Sequence, residues 1–361
     1  MIEFPFEDRQ MSVRKKLLSD RIDGLLFSSL ENIRYLCGFT GSDGALVLTS
    51  NESYFLTDSR YWTQADEEVR GSRIVHYRKK LDGILSLLLD LKLKAVGFES
   101  PSLPFSVYQA LSEKLAQQAA LLPLEKELKN LRAVKDAHEL ALIRRAGDIA
   151  SDAFLYVNPR IKEGVPEREI AREMEFFMKQ NEADALAFDI IVASGKRSAL
   201  PHGKAGAKQI EKGDFILFDY GAVYQGYYSD ETCTVVVGKP SPEQEKIYRI
   251  VKDAHDRAIE KVRPGIPIQE VDRAARDYIR QAGYGDYFGH GTGHGTGLAI
   301  HEEPGVNWEN QEIIQEGMIF TVEPGIYLPD EGLGVRSEVD VFLSAEGPRV
   351  FGPIQRELVR V

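Results

Sequence analysis

The chain has 361 residues, 43% of them hydrophobic and 28% charged, enough to bury two cores and ordinary for a globular protein. A net charge of −11 with no basic block excludes a nucleic-acid backbone as the expected partner. Two cysteines, Cys37 and Cys233, form no disulfide framework or zinc ribbon, no run is long and apolar enough to span a membrane, and the first residues lack the apolar core of a signal peptide, so the expected compartment is the cytoplasm.

Up to about residue 130 the pattern alternates. Apolar runs at 23–29, 44–50 and 95–100 predict short buried strands, and 60–69, 81–92 and 106–117 predict helices. That alternation predicts an α/β layer with a partly parallel sheet. No G-x-G-x-x-G follows a strand, so nothing points to a dinucleotide. The character changes at 123–133, which places a domain boundary near 130 and divides the chain into 1–130 and 131–361.

The second part reads as α+β. Helices are predicted over 135–157 and 165–181. Ser241-Pro242-Glu243-Gln244 carries a capping-box signature and opens a third helix, which Pro264-Gly265 ends, and 268–281 reads as a fourth. Between them, 215–237 reads as a hairpin turning in 223–226. A turn centred between Tyr224 and Gln225 sets Asp219 directly opposite Asp230, their Cβ atoms roughly 4.5–5.5 Å apart, where like charges destabilise a sheet unless a proton or cation lies between them. Two surface Asp are the bland alternative, opposed by the apolar run 215–218 that leads into Asp219.

Two further stretches change that balance. Gly289–Gly305 holds three of the seven His, at 290, 294 and 301, among glycines that permit positive φ or a close approach of the backbone to a ligand. The P-loop pattern is absent. The strand-like runs 318–328 and 333–343, turning near Asp330–Glu331, place Glu323 opposite Glu338. Four carboxylates and an imidazole suit two divalent ions such as Mn, Co, Fe or Zn, with no thiolate required. In 188–206 a strand leads to His202 in Pro-His-Gly, which by itself reads as a surface histidine.

The order Asp219, Asp230, His294, Glu323, Glu338 resembles the metal ligands of the pita-bread metallopeptidases, peptidase family M24. GFTGSDGALVL and TDSRYWTQA are similar to the creatinase/prolidase-type N-terminal domain that accompanies the prolyl branch. The resemblance implies an α/β N-terminal domain followed by an α+β pita-bread catalytic domain. It implies two divalent metals, Mn or Co favoured, with Asp219 on one, Asp230 and Glu338 bridging, and His294 and Glu323 completing the second. It further implies that Glu323 would take the proton of the attacking water, and that His202 and His301 would act on the substrate carbonyl. His290, Tyr327 and Arg336 match the prolyl branch and are expected around the substrate, a proline-containing peptide. Creatinase lacks this ligand set, which counts against a metal-free amidinohydrolase.

Gly305, standing where several microbial prolidases carry Arg, and the short link from Glu323 to Glu338 lean the reading toward an Xaa-Pro aminopeptidase. The alternative is an Xaa-Pro dipeptidase (prolidase). A metal-free peptide-binding module is the third reading, opposed by retention of every ligand. The resemblance also implies a homodimer. One departure is Cys233, which takes the place of an Arg in the run after Asp230.

Overall fold

The computed structural model describes residues 5–18, 21–352 and 358–361, so 353–357 of the predicted second domain lie outside the described residues. The chain forms two compact units, Met1–Leu131 and Arg132–Val361.

The first unit is built on a six-stranded sheet ordered Arg73–His76, Ser53–Thr57, Ala45–Thr49, Gly24–Phe27, Ala95–Glu99, Ala120–Leu124. It is mixed, as expected: Gly24–Phe27 runs antiparallel to Ala45–Thr49 and parallel to Ala95–Glu99. Three strands lie outside the predicted runs; Ser53–Thr57 is a short interior strand paired to Ala45–Thr49, and the two edges have physical reasons for hiding. Arg73–His76 is a half-exposed edge, and Ala120–Leu124 carries Pro123, which an edge strand tolerates because one side of its backbone needs no partner. Helices Lys80–Asp90 and Phe105–Leu115 set Ile84, Leu88, Leu111 and Leu115 against Val47, Leu56 and Val96 of the sheet.

The second unit repeats one construction. Helices Ala137–Val157 and Glu167–Gln180 pack Ile149, Ala153, Phe154, Met174 and Met178 on Ile216, Phe218, Tyr220, Cys233 and Val235. Helices Pro242–Lys261 and Gln269–Gln281 pack Ile247, Val251, Ala275 and Ile279 on Phe320, Val322, Val339 and Val341. Capping boxes at Asp136 and Ser241 start the first helix of each pair and satisfy backbone donors that the helix itself cannot.

Strand periodicity then decides which residues face the other way. If 216, 218 and 220 face the helices, 217 and 219 face away; if 339 and 341 do, 338 and 340 face away. Each helix pair thus frees one sheet face on which acidic residues lie. The strands belong to a four-stranded sheet (Val359–Arg360, Glu231–Val236, Phe215–Tyr220, Ile191–Ser194) and a five-stranded one (Glu302–Val306, Gly293–Gly295, Ile319–Val322, Val339–Ser344, Gly347–Phe351). The predicted strand 318–328 is interrupted at Glu323-Pro324: Ile319–Val322 stays in the larger sheet, and Gly325–Leu328 forms a separate ribbon with Leu333–Arg336.

Phe320 is fully buried between the larger sheet and its helices. Phe320→Ala is expected to cost about 3–5 kcal/mol through lost burial and the cavity left behind. Equilibrium denaturation monitored by circular dichroism measures it, and a loss below about 1 kcal/mol contradicts this packing.

Candidate metal centre and active site

Two hairpins carry the acids, and each has its own register. In the first, Glu231 pairs with Tyr220 and Thr232 with Asp219, so the strand partner of Asp219 is Thr232 and not Asp230. The cause is the turn. Gln225 and Gly226 both take positive φ, 46° and 73°, the signature of a two-residue hairpin turn whose second position wants glycine. The turn therefore centres one residue beyond the expected place. That slip moves the pairing by two positions, so the faces are preserved, and Asp219 and Asp230 become diagonal neighbours on one face. In the second hairpin the register is as expected. Val322 pairs with Val339 and Gly325 with Arg336, which leaves Glu323 and Glu338 opposed between the two ladders.

Thr232 joins the hairpins. It forms a bridge with Glu338, the Glu338 N–H donating to its carbonyl at 3.0 Å. Its hydroxyl donates to Glu338 Oε2 at 2.6 Å and accepts from Arg336 Nε at 3.1 Å. Cross-strand partners Asp219, Thr232 and Glu338 thus form a row across the seam.

His294 completes the cluster. Its Nδ1 meets the Gly295 carbonyl at 3.1 Å; a carbonyl only accepts, so Nδ1 carries a proton and Nε2 is the ring nitrogen turned to the acids. Nε2 lies 3.5 Å from Asp230 Oδ2 and 3.7 Å from Glu323 Oε1, beyond good hydrogen-bond distance but suited to a shared cation. Asp230, His294 and Glu338 offer ligand atoms within 4.8 Å of one another. The glycines around His294 serve differently from expectation. None of Gly289, Gly291, Gly293, Gly295 or Gly297 has positive φ. A Cβ on Gly293 would sit 1.9 Å from the Thr321 carbonyl and one on Gly295 2.4 Å from that of Glu303, so these glycines let strands close on each other, not on a ligand.

Arg336 is buried, donates to Asp219 Oδ2, the Pro201 carbonyl and Tyr327 Oη (2.9 Å), and leaves Asp219 Oδ1 aside. Tyr327 Oη lies 3.1 Å from Nε2 of His290, whose Nδ1–H donates to the Gly291 carbonyl at 2.8 Å. Arg336, Tyr327 and His290 are one hydrogen-bonded chain, with burial lowering the His290 pKa to about 4, so that the ring is neutral near pH 7. The cavity over this cluster has a volume of about 480 Å³ and is lined by Asp219, Asp230, His290, His294, Glu323, Arg336 and Glu338. His202 and His301, exposed on its wall, belong to it as well, so His202 is not merely a surface histidine. The His301 ring lies 4.3 Å from that of His294.

Buried acids this close raise one another. Burial lifts Asp219 to about 6 and Glu338 to about 7, with Arg336 partly opposing both and Glu323 adding to the rise at Glu338; Asp230 lies well above the carboxylate range. Burial opposes charging of His294, but Asp230, Glu323 and Glu338 outweigh it and bring the ring to about 10. Asp219 Oδ1 and Asp230 Oδ1 are buried without a hydrogen-bond partner. Four acids facing one Arg, two orphaned carboxylate oxygens and an imidazole whose Nε2 is turned to them fit a pair of hard-to-borderline divalent cations, which would displace the protons these groups hold. Cys233 lies in the helix-packed core on the other face of its strand and takes no part.

Other residues hold this arrangement and lacked a local signal. Asp340 accepts from the Asp230 N–H (3.2 Å) and Thr296 Oγ1 (2.9 Å). Asp272 accepts from Thr292 and from Arg276, which also donates to the carbonyls of Phe288 and His290. Glu302 binds Arg132 and Lys135 and accepts from the Ala299 N–H. Asp340 shares the face of Glu338 two residues on, a period-2 clue available in the sequence; the others join segments too distant to pair by pattern.

The chain matches the model of metallopeptidase family M24 over residues 141–345 and the creatinase/prolidase N-terminal domain over 9–134. It belongs to metallopeptidase family M24, with the pita-bread catalytic fold, and is therefore an enzyme of a family that uses divalent metal ions. It is similar to the Xaa-Pro dipeptidase of Pyrococcus horikoshii, 40% identical over 94% of this chain and 95% of that one. Among solved structures, it is similar to an Xaa-Pro dipeptidase from Bacillus anthracis (40% identity, 99% and 100% covered, TM-score 0.94) and to an X-Pro aminopeptidase from Thermotoga maritima (37%, 94% and 98%, 0.87). No helix among the described residues is long and apolar enough to cross a membrane.

With Asp219 near 6 and Glu338 near 7, against ordinary values of 3.8 and 4.5, the folded state keeps protons that the unfolded chain has released. Stability present at about pH 4 is thus lost as pH rises toward about 7. The melting temperature of chelated protein is expected to fall over that window. Added divalent cation, which takes the place of those protons, should raise it most at the upper end. Calorimetry across pH, with and without Mn²⁺, checks this; a cation effect that shrinks as pH rises contradicts it.

Proposed function

We propose that this protein is a metal-dependent Xaa-Pro dipeptidase, with Asp219, Asp230, His294, Glu323 and Glu338 holding two divalent cations, Mn or Co favoured. The observation that carries the reading is the pair of orphaned buried oxygens, Asp219 Oδ1 and Asp230 Oδ1, beside an imidazole whose Nε2 is turned to the acids. It also argues against a metal-free binding module, which gains nothing from four acids in one cavity.

Gly305 and the short 323–338 link leaned the sequence reading to an aminopeptidase. The dipeptidase alternative is better supported: relatives named Xaa-Pro dipeptidase match nearly end to end in sequence, that of Pyrococcus furiosus covering 98% of this chain and 100% of its own, and in fold. The same reading includes a homodimer, supported by family resemblance, and a cytoplasmic setting, which the two separate free cysteines fit.

When bound, a metal pair supplies a water of lowered pKa and polarises the scissile carbonyl. Glu323 accepts the proton of the attacking water and returns it to the proline nitrogen, which has no hydrogen of its own in the peptide. His202 and His301 donate to the carbonyl oxygen as charge develops. The Arg336–Tyr327–His290 chain fixes the wall beside the proline ring, and Ile191, Ala193, Leu217 and Tyr327 pack beneath it as an apolar floor. A ring with fixed φ is selected by shape against such a surface.

His294→Ala and Asp230→Asn are each expected to lower Xaa-Pro turnover by about 10³-fold or more without changing the circular dichroism spectrum. Near-normal turnover in either refutes the ligand assignment. Chelation should abolish activity and Mn²⁺ or Co²⁺ restore it. Chromatography of Gly-Pro against Xaa-Pro-Pro tripeptides decides the class, with faster loss of the dipeptide expected.

A further inference from the structure

We propose that Lys204 is the anchor for the free C-terminal carboxylate of the substrate; the proposal rests on the dipeptidase reading and names the group that makes it a dipeptidase. The geometry is a ruler laid across the sheet. Lys204 bridges Ile191, Ile191 pairs with Asp219, Asp219 with Thr232, and Thr232 with Glu338. Directly opposed residues share a face, so Lys204 stands on the face of the acids, two strands from Asp219, or roughly 10 Å at strand spacing. In an Xaa-Pro dipeptide the terminal carboxylate lies one residue beyond the scissile carbonyl, about 3.8 Å between Cα positions. A flexible four-carbon stem spans the remainder. An ammonium at this place meets a carboxylate one residue past the cut.

Charge points the same way. Two Lys or Arg side chains line the cavity, Lys204 and Arg336. Arg336 is buried and committed to Asp219, Tyr327, Thr232 and the Pro201 carbonyl. Gly305, on the neighbouring strand Glu302–Val306, has no side chain to offer. Lys204 is exposed at the mouth, and its ion pair is with an equally exposed Asp189 at 2.7 Å. Such surface pairs contribute little, so a substrate carboxylate displaces Asp189 readily. The backbone under Lys204 is fixed: Arg197, paired with buried Glu167 at 3.0 Å, donates to its carbonyl. Without Lys204, Asp189 and the acids beyond it repel a free carboxylate; a longer peptide or an amide carries no such charge there.

The test compares Ala-Pro with Ala-Pro-amide on metal-loaded protein. The wild type should prefer the free acid. Lys204→Met should raise KM for Ala-Pro by about tenfold or more, the scale of one charged hydrogen bond, with kcat changed much less, and the acid-to-amide preference should fall in step. Lys204→Arg should restore most of that preference, and Asp189→Asn should lower KM for Ala-Pro. Metal content and melting temperature verify that each variant is folded. If Lys204→Met keeps the wild-type acid-to-amide ratio, the anchor is overturned while the dipeptidase reading stands. If the wild type itself prefers the amide or a tripeptide, the dipeptidase reading falls and the anchor with it.

Discussion

The structure depends on one costly arrangement: Asp219, Asp230, Glu323 and Glu338 gathered in a buried cavity with a single guanidinium to offset them. In a low dielectric, like charges this close cannot all remain ionised, and the upward shifts of Asp219 and Glu338 are the sign of it. A fold that keeps them together must hold them from outside, because they repel one another. Two helix pairs do so, clamping the apolar face of each hairpin and leaving the opposite face no choice of direction. The hairpins then meet at Thr232 and Glu338, where backbone bridge and side-chain bond coincide.

How much of this could be read from the chain depends on the range of each interaction. Glu323 and Glu338 were legible because a single hairpin with strong alternation fixes its own register. Asp219 and Asp230 were legible as sharing a face, but not as diagonal, since Gly226 draws the turn one residue onward. Strand alternation tolerates that error, a shift of two pairings restoring the same faces. Three strands of the first unit escaped notice: Arg73–His76 and Ala120–Leu124 are edges whose residues need not look buried, while Ser53–Thr57 is a short interior strand paired to its neighbour Ala45–Thr49. Thr232, Asp272 and Glu302 left no trace because their partners come from segments up to 170 residues away. An alternating pattern reports which face a residue occupies, never what lies across the gap.

The division between dipeptide and longer peptide lies in a different place from the chemistry. In the proposed reading the acids, the imidazole and the Arg336–Tyr327–His290 chain face the scissile bond, and nothing in them depends on whether the substrate continues past the proline. Discrimination needs a group that touches the far end of the substrate, and such a group sits on the rim, where exposure makes it variable and its local sequence unremarkable. Gly305 leans the reading toward an aminopeptidase only if one rim position is weighed alone; the dipeptidase reading, which the relatives support better, asks for a cation from another segment, the role proposed for Lys204.

The segment 289–301 carries His290, His294 and His301, yet only Gly293–Gly295 within it is strand. A histidine on so irregular a path is positioned only as well as its loop is held. Three buried acids hold it at successive points: Asp272 through Arg276 and Thr292 near His290, Asp340 through Thr296 after His294, and Glu302 through Lys135 and Arg132 beside His301. Each is deeply buried and each has hydrogen-bond or ionic partners, so each stabilises one loop geometry more than it stabilises the fold. The glycines make the same trade, giving up conformational economy so that Thr321 and Glu303 can approach the loop backbone. A rigid loop assembled from polar anchors keeps Nε2 of His294 pointed at the acids, the placement that the proposed cation site asks for before any ligand arrives.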